Sequence, residues 1–182
     1  MEQKDYKFEI INELLKENNH VRELAKKMNI NHMLIMRKMK LLKKENVVDY
    51  KEEGKNNVYF LKRNIESKSY IFQTEHYKLV RLIEKYPDLR GIIDKIQDDK
   101  RTELAIIFGS YAKGIAKKNS DIDIFIETNN HQIKKDLMLF NSRLSIKIGM
   151  YEKESILIKE IEKNHVIIKG VEKFYERFEF FK

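Results

Sequence analysis

Apolar and polar positions along this chain follow helical spacing, strict alternation or short unbroken apolar runs, and each pattern predicts a different element. From Tyr6 to Asn18 the residues Phe8, Ile11, Leu14 and Leu15 recur at spacings of three and four, which predicts an amphipathic helix ended by Asn18-Asn19. A second short helix, VRELAKKMN, turns Leu24, Ala25 and Met28 to one side, with Asn29 suited to the turn before Ile30. Asn31 then caps a third helix, in which Ile35, Met39 and Leu42 repeat at i, i+4 and i+7 and leave Arg37, Lys38 and Lys40 on more exposed sides. Asn46 stops it. VVDY and VYFL flank the polar turn KEEGKNN and predict a two-stranded hairpin around a glycine. Another helical stretch runs from Ser67 to Tyr86, with Tyr70, Tyr77, Val80 and Ile83 as its expected packing stripe, and ends before Pro87, the only proline.

Beyond Pro87 strand patterns take over. Residues 103–108, ELAIIF, form an apolar run without helical period and fit a buried strand, followed at once by GSYAKG. SDIDIFIE alternates Asp121 and Asp123 with Ile122, Ile124 and Ile126, the pattern of a strand. A helix over 131–142, a strand over 144–150, a helix over 153–163 and a terminal VIIKGVEKFYERF complete the expected order. The aromatic end, Phe174, Tyr175, Phe178, Phe180 and Phe181, is expected to pack on its own domain or on a partner subunit. The expected organisation is a first domain over 1–65, a connector helix over 66–87 and a second domain over 88–182, in an α+β class.

Charge sharpens the picture. The net charge is +8, and residues 1–65 carry 15 basic against 10 acidic side chains, so the excess per residue is greatest in the first third. That suits a phosphate-backbone partner there. The absence of cysteine excludes disulfides, thiolate metal sites and a cysteine nucleophile. The five histidines, His20, His32, His76, His131 and His165, are scattered without metal-ligand spacing. No run approaches the roughly 20 apolar residues that span a bilayer, and the start MEQKDYKFE has no secretory character, so a cytoplasmic protein without membrane contact is expected.

The chemistry lies in the second domain. Gly109 lets the backbone turn sharply after a buried strand, and Ser110 opens a helix whose positive end favours an anion. Ten residues separate Ser110 from Asp121, and Asp123 follows two later. Two residues apart on a strand, both project from one face, separated by about 6.6 Å of rise, close enough to share a hard cation. Two carboxylates beside an apolar strand repel each other unless a cation neutralises them, and magnesium is the natural choice.

Three short helices and a hairpin over residues 5–63, with ELAKKMNI-NHMLIMRKMKLLKKENVV at their centre, resemble the winged helix-turn-helix family. The resemblance implies that the third helix enters the major groove of double-stranded DNA. Asn31, His32, Met33, Arg37, Lys38 and Lys40 would lie on the DNA side, and Lys51, Lys55 and Asn56 on the wing. A winged helix also serves as a docking or dimerisation module, and a homodimer is the expected assembly.

GSYAKGIAKKNSDIDIF resembles the signature of the minimal nucleotidyltransferases of the polymerase-beta superfamily, Gly-Ser, ten residues, Asp-x-Asp, and the likeness spans roughly 88–180. It implies a small mixed sheet flanked by helices, with Gly109, Ser110 and Lys113 holding the phosphates of a nucleoside triphosphate such as ATP. Asp121 and Asp123 would be the catalytic metal ligands for Mg2+, transferring AMP to a hydroxyl. Small members of the family act as antitoxins that adenylylate a partner toxin of the HEPN type, which makes such a protein an expected partner.

One departure stands out. The family takes a third carboxylate from the next strand, where this chain has LSIKIGM. Apolar alternation puts Lys147 at that position, with Ser145 as the other inward polar residue, and neither binds magnesium as a carboxylate would. Glu127 lies about 13 Å along the strand from Asp123, too far to substitute. Glu152 or Glu154 could reach in from the following turn. Two readings stay open: a transferase directed by its DNA-binding domain, or a transcriptional regulator whose degenerate transferase domain binds nucleotide or a partner without catalysis.

Overall fold

The computed structural model describes residues 4–54 and 56–182. Lys55, an expected wing residue, lies outside the described residues. The chain forms two compact units, Met1–Thr74 with Phe181–Lys182, and Glu75–Phe180. Its class is α+β, with two small sheets.

In the first unit, helix α1 (Tyr6–Lys16) starts where the Asp5 side chain accepts a hydrogen bond from the Lys7 amide, 2.9 Å away. It buries Ile10, Ile11 and Leu14 completely or nearly so. Phe8 and Leu15, expected in the core, are only half-buried, and Ile10 takes the place between them. Strand β1 (Asn19–His20) is followed by α2 (Val21–Met28), which ends at Asn29 in the left-handed conformation, φ 52°. Helix α3 (His32–Lys44) is capped by the Asn31 side chain, which accepts from the Met33 amide at 2.7 Å. Its Ile35, Met39 and Leu42 are fully buried, as the spacing predicts. Asn46, at φ 62°, turns the chain into β2 (Val48–Glu53), which pairs antiparallel with β3 (Asn56–Leu61).

The two-residue strand β1 has no counterpart in the sequence patterns. It pairs with β3, Asn19 opposite Tyr59 and His20 opposite Val58, and completes a sheet in the order β1-β3-β2. Three helices with this small sheet are a winged-helix arrangement.

Helix α4 (Ile65–Lys85) crosses the boundary between the units after Thr74. The expected stripe of Tyr70, Tyr77, Val80 and Ile83 is not the buried one: Val80 is exposed and the others are half-buried. The helix instead buries Ser67, Ile71, Thr74, Glu75, Leu79 and Leu82. Small hydroxyl residues and a paired carboxylate share that face, which a purely apolar pattern misses.

The second unit continues with a 3-10 turn (Pro87–Leu89) and α5 (Arg90–Asp98), a helix the sequence patterns passed over, whose Ile92, Ile93 and Ile96 are buried. Then follow β4 (Leu104–Ile107), the single turn α6 (Gly109–Ala112), β5 (Ile122–Glu127), α7 (Gln132–Phe140) and β6 (Leu144–Gly149). Helix α8 (Ile156–Lys163), β7 (Val166–Lys169) and α9 (Val171–Phe178) complete it. The sheet order is β6-β5-β4-β7, with β5 and β6 parallel and the other pairs antiparallel, a mixed sheet. Ile122, Ile124 and Ile126 face a core shared with Ile92, Ile96, Ile133 and Leu137. The aromatic end divides: Phe174 and Tyr175 are buried in this unit, whereas Phe181 meets Phe72 edge-on in the first, 6.5 Å between centroids.

Candidate functional site

The four residues of β4 are fully buried, so the strand delivers the chain rigidly to Gly109. The ladder runs one step past its formal end, since the Phe108 amide donates to the Asp123 carbonyl at 3.0 Å. Gly109 then adopts φ +67°, and a Cβ placed on it would lie 2.5 Å from Oδ2 of Asp123. Glycine is therefore required twice, for the left-handed turn and for the carboxylate that fills the space of its missing side chain. The first amides of α6 have no intrahelical acceptor. Gly114, at φ +69°, ends this turn, and its carbonyl accepts from the Lys85 ammonium at 2.7 Å.

The spacer folds back on itself, with the Lys117 amide donating to Ser120 Oγ at 2.9 Å and the Ser120 amide to the Lys117 carbonyl at 3.0 Å. Asp123 lies on β5. Asp121, expected on the same strand, stands one residue before it and is exposed. The strand begins only at Ile122, whose amide is held by the Arg143 carbonyl at 2.9 Å.

Register decides what stands beside these acids. In the parallel β5–β6 pair, Asp123 is opposite Ser145, and Lys147 is opposite Phe125 and exposed. Alternation identified the correct face but not the step along it, because apolar pattern fixes sidedness and only pairing fixes register. A hydroxyl, not an ammonium, is the β6 neighbour of Asp123. Glu127 is engaged elsewhere: it accepts from the Tyr151 amide at 3.3 Å and pairs with Arg177 Nε at 3.2 Å. Glu154 is almost fully exposed and pairs with Lys159 at 2.8 Å, and Glu152 is exposed. Lys113 has its ammonium 3.3 Å from Glu160 of α8.

No group of three His, Cys, Asp or Glu side chains arranged to hold a metal occurs among the described residues. A magnesium ion needs fewer protein ligands than that, because it keeps several waters and takes its remaining oxygens from substrate phosphates, with one or two carboxylates from the protein. Asp123, packed against Gly109, is one carboxylate of that kind, and the exposed Asp121 stands two residues before it.

In the first unit, Met33, Arg37 and Lys40 form an exposed stripe along α3 at i, i+4 and i+7, and Lys38 is half-buried. Asn31 is exposed but spends its side-chain oxygen on the cap. His32 lines a recess of about 420 Å³ with His20, Arg22, Asn56 and Tyr59. Lys51 is exposed on β2, its ammonium 5.8 Å above the Phe60 ring, and Asn56 is exposed at the start of β3. Sequence patterns did not single out Arg22, nor Tyr86, Lys117, Lys118 and Arg143 at the end of the second sheet. The Lys-Lys pair inside the spacer was the one visible signal.

No helix among the described residues is long and apolar enough to cross a membrane. No curated protein matches the chain. Among solved structures, the adhesin competence repressor from Streptococcus pyogenes is 18% identical, with 52% of this chain and 76% of that chain covered, at a TM-score of 0.37. The nucleotidyltransferase domain family matches residues 89–180, just over half of the chain and all of the segment from Gly109 to Asp123, and the chain belongs to that family.

Proposed function

We propose that this chain transfers a nucleoside monophosphate, AMP from ATP, to an acceptor hydroxyl with magnesium as cofactor, and that its first unit binds double-stranded DNA. The observation that carries the transfer reading is the contact between Gly109 and the Asp123 carboxylate, which joins a phosphate-accepting turn to a metal-binding acid. The free amides of α6 and the Ser110 hydroxyl receive the terminal phosphates, and Lys113 adds charge at the end of that turn. Asp121 and Asp123 would hold the ion, which when bound would offset charge on the triphosphate and lower the pKa of the attacking hydroxyl. The acceptor oxygen forms a bond to the α-phosphorus, the bond from that phosphorus to the bridging oxygen breaks, pyrophosphate leaves with the electron pair, and the hydroxyl proton passes to water.

The experiment is label transfer from α-labelled ATP with magnesium in the full chain, beside Asp121→Ala/Asp123→Ala. Loss of the ion's several kcal/mol predicts a fall of about 100-fold or more in the double variant.

A second reading rests on Ser145 standing beside Asp123, with no three-carboxylate group among the described residues. The chain would then be a transcriptional regulator whose second unit binds nucleotide or a partner without transfer. Absence of label on every acceptor tried, with ATP still bound, decides for it.

A further inference from the structure

At the end of the second sheet, a recess of about 490 Å³ is lined by Tyr86, Asp88, Tyr111, Lys117, Lys118 and Arg143. None of these residues takes part in the transfer steps above. The wall is built rather than incidental. Arg143 is fixed by three acceptors: Asp88 Oδ2 at 2.7 Å, the Lys118 carbonyl at 3.0 Å and Tyr111 Oη at 3.3 Å. The Tyr86 ring meets the Tyr111 ring edge-on, 4.8 Å between centroids. The Tyr86 hydroxyl is buried and has no hydrogen-bond partner.

The charge of the recess says which oxygen. Asp88 is its one acidic lining residue and is already paired with Arg143, while Lys117 and Lys118 are exposed and have no ion-pair partner among the described residues. Two uncompensated ammonium groups beside a fixed guanidinium call for a ligand with several anionic acceptor oxygens. Phosphate is such a ligand, and a neutral or apolar group would leave both ammonium groups without an acceptor. A concave space of this volume holds a small molecule or a strand end better than an extended peptide. Lys118 lies three residues before Asp121, within about 11 Å of chain. Tyr111 directly follows Ser110, and the Arg143 carbonyl holds the amide between the two acids.

We propose that this recess is the acceptor subsite and takes a phosphate of a phosphorylated acceptor, bringing that molecule's free hydroxyl to Asp121 and Asp123. The assignment rests on the nucleotidyl-transfer reading.

The test measures binding to the full chain, without ATP or magnesium, of glycerol 3-phosphate and a 5′-phosphorylated dinucleotide. Each is paired with its unphosphorylated counterpart, and an acidic tyrosine-containing peptide is titrated alongside. Phosphorylated probes should bind at least about 5-fold more tightly than their counterparts. Lys117→Ala/Lys118→Ala should remove most of that preference, with ATP affinity in magnesium unchanged. The better of the two phosphorylated probes tells whether the acceptor is a small molecule or a strand. Absence of any phosphate preference, an unchanged preference in the lysine variant, or tighter binding by the peptide overturns the proposal. An equal loss of ATP affinity in the lysine variant overturns it too, by giving the recess to the donor nucleotide. If the phosphate preference holds and depends on the lysines but no acceptor takes label, the transfer reading fails and the acceptor role with it, leaving only a phosphate site.

Discussion

A methyl group added at Gly109 would lie 2.5 Å from Oδ2 of Asp123, and one added at Gly170 would lie 2.2 Å from the carbonyl oxygen of Glu103. Both glycines have positive φ, so alanine at either is strained by about 1–2 kcal/mol. The difference is in what must give way. At Gly109 the obstacle is the end of a rotatable side chain, so Gly109→Ala should cost little beyond that strain but push Asp123 out of place, lowering transfer per folded molecule by about 100-fold. At Gly170 the obstacle is backbone leading into β4, so Gly170→Ala should cost about 2–5 kcal/mol while folded molecules keep their activity. Urea unfolding midpoints and label transfer per folded molecule separate the two, and a fully active Gly109→Ala would show that the position of Asp123 is not used. These residues also mark what the sequence makes legible at a site. Gly109, Ser110, Asp121 and Asp123 stand out because their spacing is chemical, a turn residue followed at fixed distance by two like charges whose repulsion a cation would relieve. Ser145 as the neighbour of Asp123 is set by strand register, and the unmet Tyr86 hydroxyl by three-dimensional packing, neither of which leaves a local pattern.

Helix α4 carries the least expected chemistry among the elements. Its Glu75 is fully buried, accepts from the Tyr175 hydroxyl at 2.8 Å, and meets the Lys78 ammonium at 2.8 Å and His165 Nε2 at 3.5 Å, while His165 Nδ1 faces the Ile161 carbonyl at 2.8 Å. Burial by itself would raise the Glu75 carboxyl, but the charges and hydrogen bonds of Lys78 and His165 outweigh it and hold the carboxyl well below its ordinary value of 4.5. Burial, then the charge of Glu75, pushes the Tyr175 phenol up. A carboxyl held low in the folded chain takes up its proton first in the unfolded one. The stability it contributes is therefore present above pH 4.5 and is lost progressively as the pH falls below that value. Glu75→Gln should cost about 2–4 kcal/mol at pH 7 and flatten the acid side of the stability profile, read from urea midpoints between pH 7 and pH 3. A variant with an unchanged acid limb would show that other carboxylates govern it. The same helix shows why part of the fold escaped the sequence. Helix α3 was legible because Ile35, Met39 and Leu42 share one face behind a capping Asn31. The buried face of α4 mixes Ser67, Thr74 and Glu75 with its apolar residues, and β1 is two residues long, defined only by its pairing with β3.

At the scale of the whole molecule the question is whether two compact units carry separable functions. The first third of the chain holds 15 basic against 10 acidic side chains, and α3 presents Met33, Arg37 and Lys40 along one exposed line. If that line faces DNA, Arg37 and Lys40 neutralise phosphates, and each contact contributes about 0.9 to the slope of log affinity against log salt. Arg37→Ala/Lys40→Ala should therefore weaken binding to duplex DNA and reduce that slope by about 1.8. Both side chains are exposed and pack in no core, so stability should stay within about 0.5 kcal/mol of the parent. Asp121 and Asp123 belong to the other compact unit, so label transfer from ATP should be unchanged in this variant. Affinities measured across a salt series on the full-length variant check the first claim, and label transfer on the same preparation checks the second. An unaltered slope would mean that α3 meets a protein surface rather than phosphates. A fall in transfer at full stability would mean that the two units work as one, and that the basic helix belongs to the chemistry as much as to recognition.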